Sequence, residues 1–389
     1  MLWMPAAVAQ KKQIAQAKTY IKSGKELDKA ENMMTTLLKD SANMNNEKIH
    51  LTLFDAIRAQ YEQVNEKMYL KQPVDTAQLF VQAEKMFIAL ERFDSVEARP
   101  NKKGVIKIKY RDKHAEFLND YRQNLFSGGV YYVRKGQLDK AYNIMNLYID
   151  CARQPLFQAY DYERNDTLLP EAAHCTLYCG YMMHDTPKAL KYLSLAMKDS
   201  IHADYIDQYL AHVYNEENDT TRYLETLNRG FLRSPTHPFF FPHIIDYYNH
   251  RGETQKMQSL VDEALKADST NALFRFAQST LLLNTGKYDE CIAICKQLIE
   301  DNDSFSEAYC NIALAYFNQA VEMDKKVKLT RSQRQKIRQL YALSQPYMEK
   351  FRELEPDKQQ KWLPVLYTIY LNLNLGPQFD EIDQLRRKN

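Results

Sequence analysis

The chain has 389 residues, and its 52 Lys and Arg nearly balance 50 Asp and Glu, which excludes a strong overall field toward nucleic acid or an anionic membrane. Only 10 glycines are present, which leaves little material for phosphate-binding loops, and no apolar run approaches the length of about 18 residues that a membrane-spanning helix needs. Abundant helix-forming residues predict an almost entirely α-helical chain.

The first nine residues, 1–9, are apolar and end in Ala7-Val8-Ala9, a pattern that is similar to the end of a secretory signal peptide. The basic segment that opens such a peptide is missing. Two interpretations stay open. A signal-peptide remnant predicts a periplasmic or otherwise exported protein, whereas an accidental apolar terminus leaves the protein cytoplasmic.

The region before the repeats divides into two parts. Residues 10–94 are predicted to form helical hairpins that are degenerate repeats. Pro100 and Gly104 then predict a turn, and the alternation of VIKIKY predicts a short strand. We therefore expect an irregular linker or hairpin over 95–113, at the boundary to a repeat array over 114–389.

Tyrosines recur with a period of 34 residues, at Tyr214 and Tyr248 and, two periods later, at Tyr316. Small residues keep the same period at Ala196, Gly230 and Ala264. Helix-turn-helix units of this length cannot bury their apolar faces alone and therefore stack into a solenoid. We number each unit from its first residue, and the units begin at Arg122, Pro170, Asp204, Pro238, Ala272 and Ser306.

The period fails in two places. The units at Arg122 and Pro170 are 48 residues apart instead of 34, and we place the 14 extra residues in an insert near 154–169. After Phe317 the frame slips again, and we place a second insert near 322–340, which contains the basic stretch KKVKLTRSQRQKIR.

The columns resemble those of tetratricopeptide repeat (TPR) proteins, with a small residue at position 8 (Ala211, Ala313), Tyr at position 11 and Gly at position 15 (Gly252). The chain is also similar to exported bacterial TPR proteins of unassigned function. The resemblance implies an all-α superhelix, a solenoid of antiparallel helix pairs. It also implies a concave groove, lined by the first helix of each pair, that binds peptides or extended partner segments. The insert near 154–169 is a candidate cover for this groove.

The groove positions of the family, about 2, 5, 9, 12 and 13 of each unit, carry aromatic and amide side chains here. The candidates are Tyr178, Tyr181, Tyr205, Gln208, His212, Asn215, Phe239, Asp246, Asn249, His250, Phe276, Thr280, Asn284, Leu314 and Phe317. Position 5 holds no Lys or Arg in these units, so the carboxylate grip of the chaperone-docking members is not expected. Amides suit hydrogen bonds to an extended backbone, and aromatic rings supply apolar contact. The alternative is a set of solvated helix faces.

Two groups combine residue types that can ligate metals. The first comprises His212, His243, Asp246 and His250, of which the last three project from one side of a helix. The second comprises His174, Cys175, Cys179 and His184. A polar groove lining and small packed cysteines explain both more simply, so neither a metal nor another cofactor is expected.

No nucleophile or cofactor-binding motif is present, which predicts that the chain is not an enzyme. We expect a protein-protein interaction scaffold or adaptor that binds an extended peptide or partner segment. The alternative is a structural or assembly factor for a membrane-associated complex, and a metal-binding or catalytic role is less favoured. The expected partner is a protein or peptide rather than nucleic acid, since a solvated helix face explains the basic stretch near 325–338. The oligomeric state is left open.

Overall fold

A computed structural model describes residues 6–100, 104–325 and 328–388. These residues form α-helices and two 3-10 helices without a strand, which confirms the prediction of an all-α fold built from helix pairs. Contacts between residues divide the chain into two compact units, Met1–Thr226 and Leu227–Asn389. Residues 1–5, part of the predicted signal-peptide remnant, lie outside the described residues. Across the described helices, none combines the length and the apolar character that a membrane crossing requires.

The first unit contains helices α1 to α11 and the start of α12. They are α1 (Ala6–Ser23), α2 (Leu27–Leu38), α3 (Glu47–Tyr69), α4 (Thr76–Glu97), α5 (Arg111–Arg134), α6 (Leu138–Asp150), α7 (Tyr162–Asn165), α8 (Leu169–Met182), α9 (Thr186–Leu190), α10 (Leu193–Ala196), α11 (Ala203–Glu216) and α12 (Thr220–Arg233). Neighbours from α1 to α6 pack in chain order, and α8 contacts α5, α6 and α11. This pattern of adjacent contacts is that of a solenoid.

The second unit begins within α12 and continues as helix pairs. They are α13 (Phe240–His250), α14 (Thr254–Ala267), α15 (Ala272–Asn284), α16 (Tyr288–Asp301), α17 (Ser306–Asp324), α18 (Arg331–Leu354), α19 (Gln359–Leu373) and α20 (Gly376–Lys388). Each helix from α13 to α19 packs on the next, and α15 also contacts α17, which contacts α19. The second unit therefore follows the same stacking pattern.

The core of the first unit is continuous across the irregular segment that separates α4 from α5. Buried side chains from α3 to α11, among them Phe54, Phe87, Leu118 and Leu210, belong to one apolar cluster. The core therefore shows no gap at 95–113, where we predicted the boundary between the N-terminal helical hairpins and the repeat array. The domain boundaries stay a prediction.

The columns of the 34-residue period lie where close packing requires them. Ala196 and Ala264 are fully buried, and a Cβ on Gly230 would meet the ring of Phe240 at 2.3 Å. Tyr214 is also buried. Small residues let two helices approach, and the tyrosine fills the space beside the contact.

In five of the 34-residue repeat units, the residue at position 15 adopts the left-handed conformation that ends the first helix of a pair. The five residues, with their φ angles, are Gly136 (68°), His184 (53°), Asn218 (57°), Gly252 (66°) and Gly286 (76°). The prediction of a positive φ is confirmed for the glycines. His184 and Asn218 adopt it despite their Cβ atoms, which is less favourable for a residue other than glycine.

The sixth repeat unit lacks a left-handed residue at position 15, and its first helix is longer. Position 15 of the unit at Ser306 is Ala320, which lies buried inside α17. The helix therefore continues to Asp324, and its partner α18 extends over 24 residues. The insert near 322–340 thus forms additional helix on both sides of a turn, and α18 starts with a capping box between Thr330 and Gln333.

The first insert is packed into the core of its unit, and whether it covers the groove stays a prediction. Two 3-10 helices (Cys151–Arg153 and Pro155–Tyr160) and α7 form it, and Phe157 is fully buried against Phe87, with ring centroids 5.8 Å apart. Arg122 lies between the rings of Tyr148 and Tyr162, 3.8 and 3.9 Å from their centroids. The Arg122 guanidinium also pairs with Asp166.

The segment between α4 and α5 does not contain the predicted strand. Its described residues have no regular structure, and the backbone N–H groups of Lys109 and Tyr110 donate to the Glu97 carboxylate at 3.2 and 3.1 Å. A lone strand would leave its backbone groups without a partner strand, and no such partner adjoins this segment in the described part of the chain. Ile106 and Ile108 are exposed.

Candidate functional site

Seven aromatic side chains form a partly exposed surface in the first unit, on α8, on α11 and on the turn before α11. Four of them, Tyr178, Tyr181, Tyr205 and His212, were predicted from the groove positions. We call the whole set the histidine–tyrosine surface; it consists of His174, Tyr178, Tyr181, His202, Tyr205, Tyr209 and His212.

Five of these rings follow one another in a stacked row. The centroid of His174 lies 4.7 Å from His202 and 6.0 Å from Tyr209. Tyr181 continues the row, 5.1 Å from Tyr209 and 5.4 Å from His212. The angles between successive planes are 12° to 26°. Aromatic pairs at such separations are worth about 0.5–1.5 kcal/mol each beyond area burial, so the row is a stiff surface.

A pocket of about 360 Å³ opens beside the row. Phe126, Val130 and Val133 of α5, with Met145 of α6, provide apolar lining. The polar lining comes from α8, from the turn before α11 and from Tyr209, and it consists of Glu171, His174, Cys175, Tyr178, His202 and Tyr209. An apolar cavity with a few convergent polar groups is the usual form of a binding site.

Tyr209, which lines the pocket, keeps its proton. Desolvation by burial, together with the neighbouring tyrosines, raises the pKa of Tyr209 to about 12. Its hydroxyl therefore stays a hydrogen-bond donor at neutral pH. Tyr205 stands further out, with 54% of its surface exposed. Tyr209 thus offers the pocket a ring face and a hydroxyl donor without the negative charge of a phenolate.

His174, Asp199 and His202 meet at one end of the row. Asp199 Oδ2 lies 2.7 Å from His202 Nδ1 and 3.6 Å from His174 Nδ1. Burial, followed by the neighbouring His202, lowers the pKa of His174 to about 4, so this imidazole is neutral at pH 7. Burial alone would raise the pKa of Asp199, but hydrogen bonds from the ring and backbone of His202 hold it below its ordinary value.

The structure corrects both metal-ligand groups inferred from spacing. His243 Nδ1–H donates to Phe239 O and His250 Nδ1–H donates to Asp246 O, both at 2.7 Å, so each ring bonds to its own helix. His212 is a member of the stacked row in the first unit. Within the described residues, the one group of three close ligand atoms comprises His174, Asp199 and His202.

The members of the second group, His174, Cys175, Cys179 and His184, do not form one cluster either. His174 takes Asp199 and His202 as its neighbours, and neither cysteine of the group belongs to that cluster. His184 lies at the left-handed end of α8, where its Nδ1 is 3.0 Å from Glu216 Oε1. Cys179 is fully buried, as expected for a small packed residue.

The remaining groove candidates occupy varied environments. In the second unit, Phe276 packs on Phe305, Thr280 accepts a hydrogen bond from Asn311 at 3.0 Å, and Leu314 and Phe317 are half-buried against the core. Phe239 lies 4.1 Å from the His243 ring. The exposed candidates are Asn215, Asp246, Asn249, His250 and Asn284, and Gln208 is half-buried. Whether these residues bind a partner stays a prediction.

Sequence reasoning missed several residues of the site. Phe126, Val130 and Val133 stand at positions 5, 9 and 12 of the unit at Arg122, so the same numbering would have found them. Asp199 and His202 fall in the turn before α11, where the repeat pattern assigns no binding role. Tyr209 stands at position 6, outside the groove columns. Only tertiary packing brings Asp199, His202 and Tyr209 to the candidate site.

Comparisons with known proteins find solved structures that are distantly similar to this chain. No protein-family model and no curated protein matches the sequence significantly. The C-terminal part of a TPR repeat-containing protein from Cytophaga hutchinsonii is 13% identical, with a TM-score of 0.44, over 66% of this chain and 92% of that chain. The TPR domain of P58(IPK) is 13% identical, with a TM-score of 0.27, over 90% and 99%. The chain is thus similar to TPR-repeat proteins, as predicted.

A further similar structure contains a nucleic-acid ligand. A monomeric mutant of IFIT1 with m7Gppp-AAAA is 13% identical to this chain, with a TM-score of 0.39, over 84% of this chain and 72% of that chain. The exclusion of nucleic acid as a partner of this chain stays a prediction. In the second unit, the cations Arg331, Arg334, Lys336 and Arg338 of α18 are exposed, as a solvated helix face predicts.

Proposed function

We propose that this chain is a non-enzymatic scaffold that binds an extended segment of a partner protein at the histidine–tyrosine surface. The observation that carries the proposal is a stacked aromatic row, part of it exposed, beside an apolar pocket of about 360 Å³. Tyrosine supplies large contact area and a hydroxyl at low entropic cost, and is enriched at binding hot spots.

The lining of the pocket defines the chemistry of the occupant. Among the described residues that line it, none is Lys or Arg, which disfavours a carboxylate or phosphate as the main anchor. Glu171 lies at its edge. We infer a segment that inserts one large apolar side chain and carries a Lys or Arg nearby, where the Glu171 carboxylate attracts it.

Selection from a random peptide display library on the full chain tests this proposal, with a chelator present throughout. Enriched peptides should carry a large apolar residue close to a basic one. Tyr178→Ala and Tyr205→Ala should each lower the affinity for an enriched peptide by about tenfold, the usual cost of truncating an aromatic anchor.

Tyr69→Ala is the matched control, because Tyr69 is 85% exposed in the same unit and lies outside the surface. It should bind the peptide like the wild type. Circular dichroism should show that all variants are folded. No enrichment above background, or equal affinity of the wild type and both surface variants, would refute the proposal.

A second candidate function, assembly of a membrane-associated complex, is favoured by the exposed aliphatic segment between α4 and α5. Val105, Ile106 and Ile108 are 55%, 57% and 39% exposed and alternate with Lys107 and Lys109. Aliphatic side chains beside lysines suit the interface of an anionic bilayer.

Co-sedimentation with vesicles that contain phosphatidylserine tests this second candidate. Replacement of Ile106 and Ile108 by Ser should abolish sedimentation, whereas Leu70→Ser, at a 53% exposed leucine elsewhere in the unit, should not. Sedimentation that is absent in the wild type, or unchanged in the double variant, excludes this role.

A further inference from the structure

The cluster at the end of the aromatic row brings together three donor atoms from two parts of the fold. His174 comes from α8, whereas Asp199 and His202 come from the turn between α10 and α11. The ligand atoms of all three lie within 4.8 Å of one another. Their side chains are 15%, 5% and 33% exposed. The cluster therefore sits at the boundary between the core and the pocket.

The carboxylate of this cluster is held in a fixed orientation. Asp199 Oδ1 accepts hydrogen bonds from the backbone N–H groups of Ile201 and His202, both at 3.1 Å. Oδ2 consequently faces the two imidazoles. A ligand carboxylate that is oriented by other hydrogen bonds is a recurrent feature of protein metal sites.

We propose that His174, Asp199 and His202 form a binding site for a divalent transition-metal ion of the zinc class. Two imidazoles and one carboxylate are a frequent ligand set for such ions, and a fourth position is left for water or another ligand. The site adjoins the pocket of the proposed scaffold function, but that function needs no metal, so the two proposals are tested separately.

The distances are close to those that an ion requires. Imidazole nitrogen and carboxylate oxygen lie about 2.0–2.2 Å from zinc, so ligand atoms around one ion are about 3–3.5 Å apart. The His174–Asp199 distance of 3.6 Å nearly fits. The 2.7 Å contact between His202 and Asp199 is a hydrogen bond that the ion would replace. His202 lies in the turn before α11 and is a third exposed, so its ring can rotate toward His174.

The pocket gives the ion an open side. His174 and His202 both line it, together with Glu171, so a fourth ligand can come from water or from the Glu171 carboxylate. Removing His202 tests the site with little disturbance to the core, because its side chain is the most exposed of the three.

Zinc titration of the metal-free full chain by calorimetry tests the proposal, with no peptide present. The wild type should bind one equivalent of Zn²⁺. His202→Ala and Asp199→Asn should weaken binding by about 100-fold or more, since each removes a ligand. His250→Ala is the matched control, because that exposed histidine bonds to its own helix, and it should bind like the wild type.

X-ray absorption at the zinc edge separates this site from a thiolate site. Two imidazole ligands and no sulfur are expected, and Cys175→Ser should leave affinity unchanged. If Asp199→Asn unfolds the chain, His202→Ala decides. Absence of stoichiometric binding, equal binding by wild type and His202→Ala, or sulfur ligation that Cys175→Ser abolishes would each overturn the proposal. Peptide selection in chelator is unaffected by any of these outcomes.

Discussion

The two inserts resolve the same problem, residues in excess of the repeat period, in different ways. The first, between α6 and α8, forms short helices that enter the core of their unit around Arg122 and Phe157. The second adds turns to α17 and α18. The first thus adds short helices to the core, whereas the second lengthens a helix pair whose side chains, among them Ile337 and Leu340, belong to a core cluster.

One position of the repeat accounts for the form of the second insert. His184 ends α8 in the left-handed conformation, whereas Ala320 at the equivalent position continues α17. Alanine has the highest helix propensity and rarely adopts a positive φ. Without a stop at this position, the second insert can extend a helix, whereas the first insert follows α6, the second helix of its pair, and packs into the core. Four changes test this contrast, beginning with the largest expected effect.

Arg122→Met should destabilise the first insert most. It removes the cation between Tyr148 and Tyr162 and leaves the nearly buried Asp166 carboxylate without its ionic partner. Breaking a buried pair in this way costs about 3–5 kcal/mol. Hydrogen exchange should show loss of protection across 151–166, while α17 and α18 keep theirs. Retained protection across 151–166 would contradict the tertiary origin of the insert's order.

Glu91→Gln should remove a pH dependence of the unfolding free energy that originates in the same region. Burial, followed by Asp150, raises the pKa of Glu91 from 4.5 to about 8, and its Oε1 is buried without a hydrogen-bond partner among the described residues. The folded state therefore favours the protonated acid. Its contribution to stability is complete below pH 4.5 and is lost as pH rises through 8.

At pH 8 the Glu91→Gln variant should accordingly exceed the wild type in unfolding free energy by roughly 2 kcal/mol, and near pH 4 the two should agree. Urea denaturation at both pH values measures the difference. A constant difference across this range would show that Glu91 does not titrate as inferred.

Thr330→Ala should weaken the second insert alone. Thr330 caps α18 by accepting from the Gln333 backbone N–H at 3.2 Å, and its loss costs about 1 kcal/mol. Fraying should appear as faster exchange in the first turn of α18. Thr330→Ser, which keeps the hydroxyl, should match the wild type, and faster exchange in the first insert is not expected.

His184→Gly should produce the smallest effect and the opposite sign. Glycine adopts the φ of 53° without a Cβ, which should stabilise the chain by about 0.5–1 kcal/mol, less what is lost with the exposed Glu216 contact. Ala320→Gly, inside a helix, should instead destabilise it by at least about 1 kcal/mol. Thermal melts of the two variants compare the signs, and the same sign for both would contradict the role given to this position.

The sequence predicted the fold through its packing columns. Tyr214, Ala196 and Ala264 are buried because helix pairs need small and aromatic residues at fixed positions, and such requirements are visible in one sequence. The left-handed conformation of His184 and Asn218 was not visible, because neither residue is a glycine. Tertiary context imposes it there.

The candidate site was predicted only in part. Helix positions correctly grouped Tyr178, Tyr181 and His212 with one another, since a repeat places equivalent residues on one face. Asp199 and His202 belong to a turn, and nothing in the period indicates which side chains a turn brings together. The prediction of a strand over VIKIKY was wrong for a related reason. Alternation indicates a strand only where a second strand is available.

The left-handed residues of the repeat have a practical consequence. A Cβ at Gly136, Gly252 or Gly286 would meet nothing within 4 Å, so these turns project into open space. They recur at equivalent places along each unit. A fluorophore or an affinity tag inserted in these turns would therefore leave the helix contacts intact, and labels at Gly252 and Gly286 would report by energy transfer the distance between two turns of the second unit.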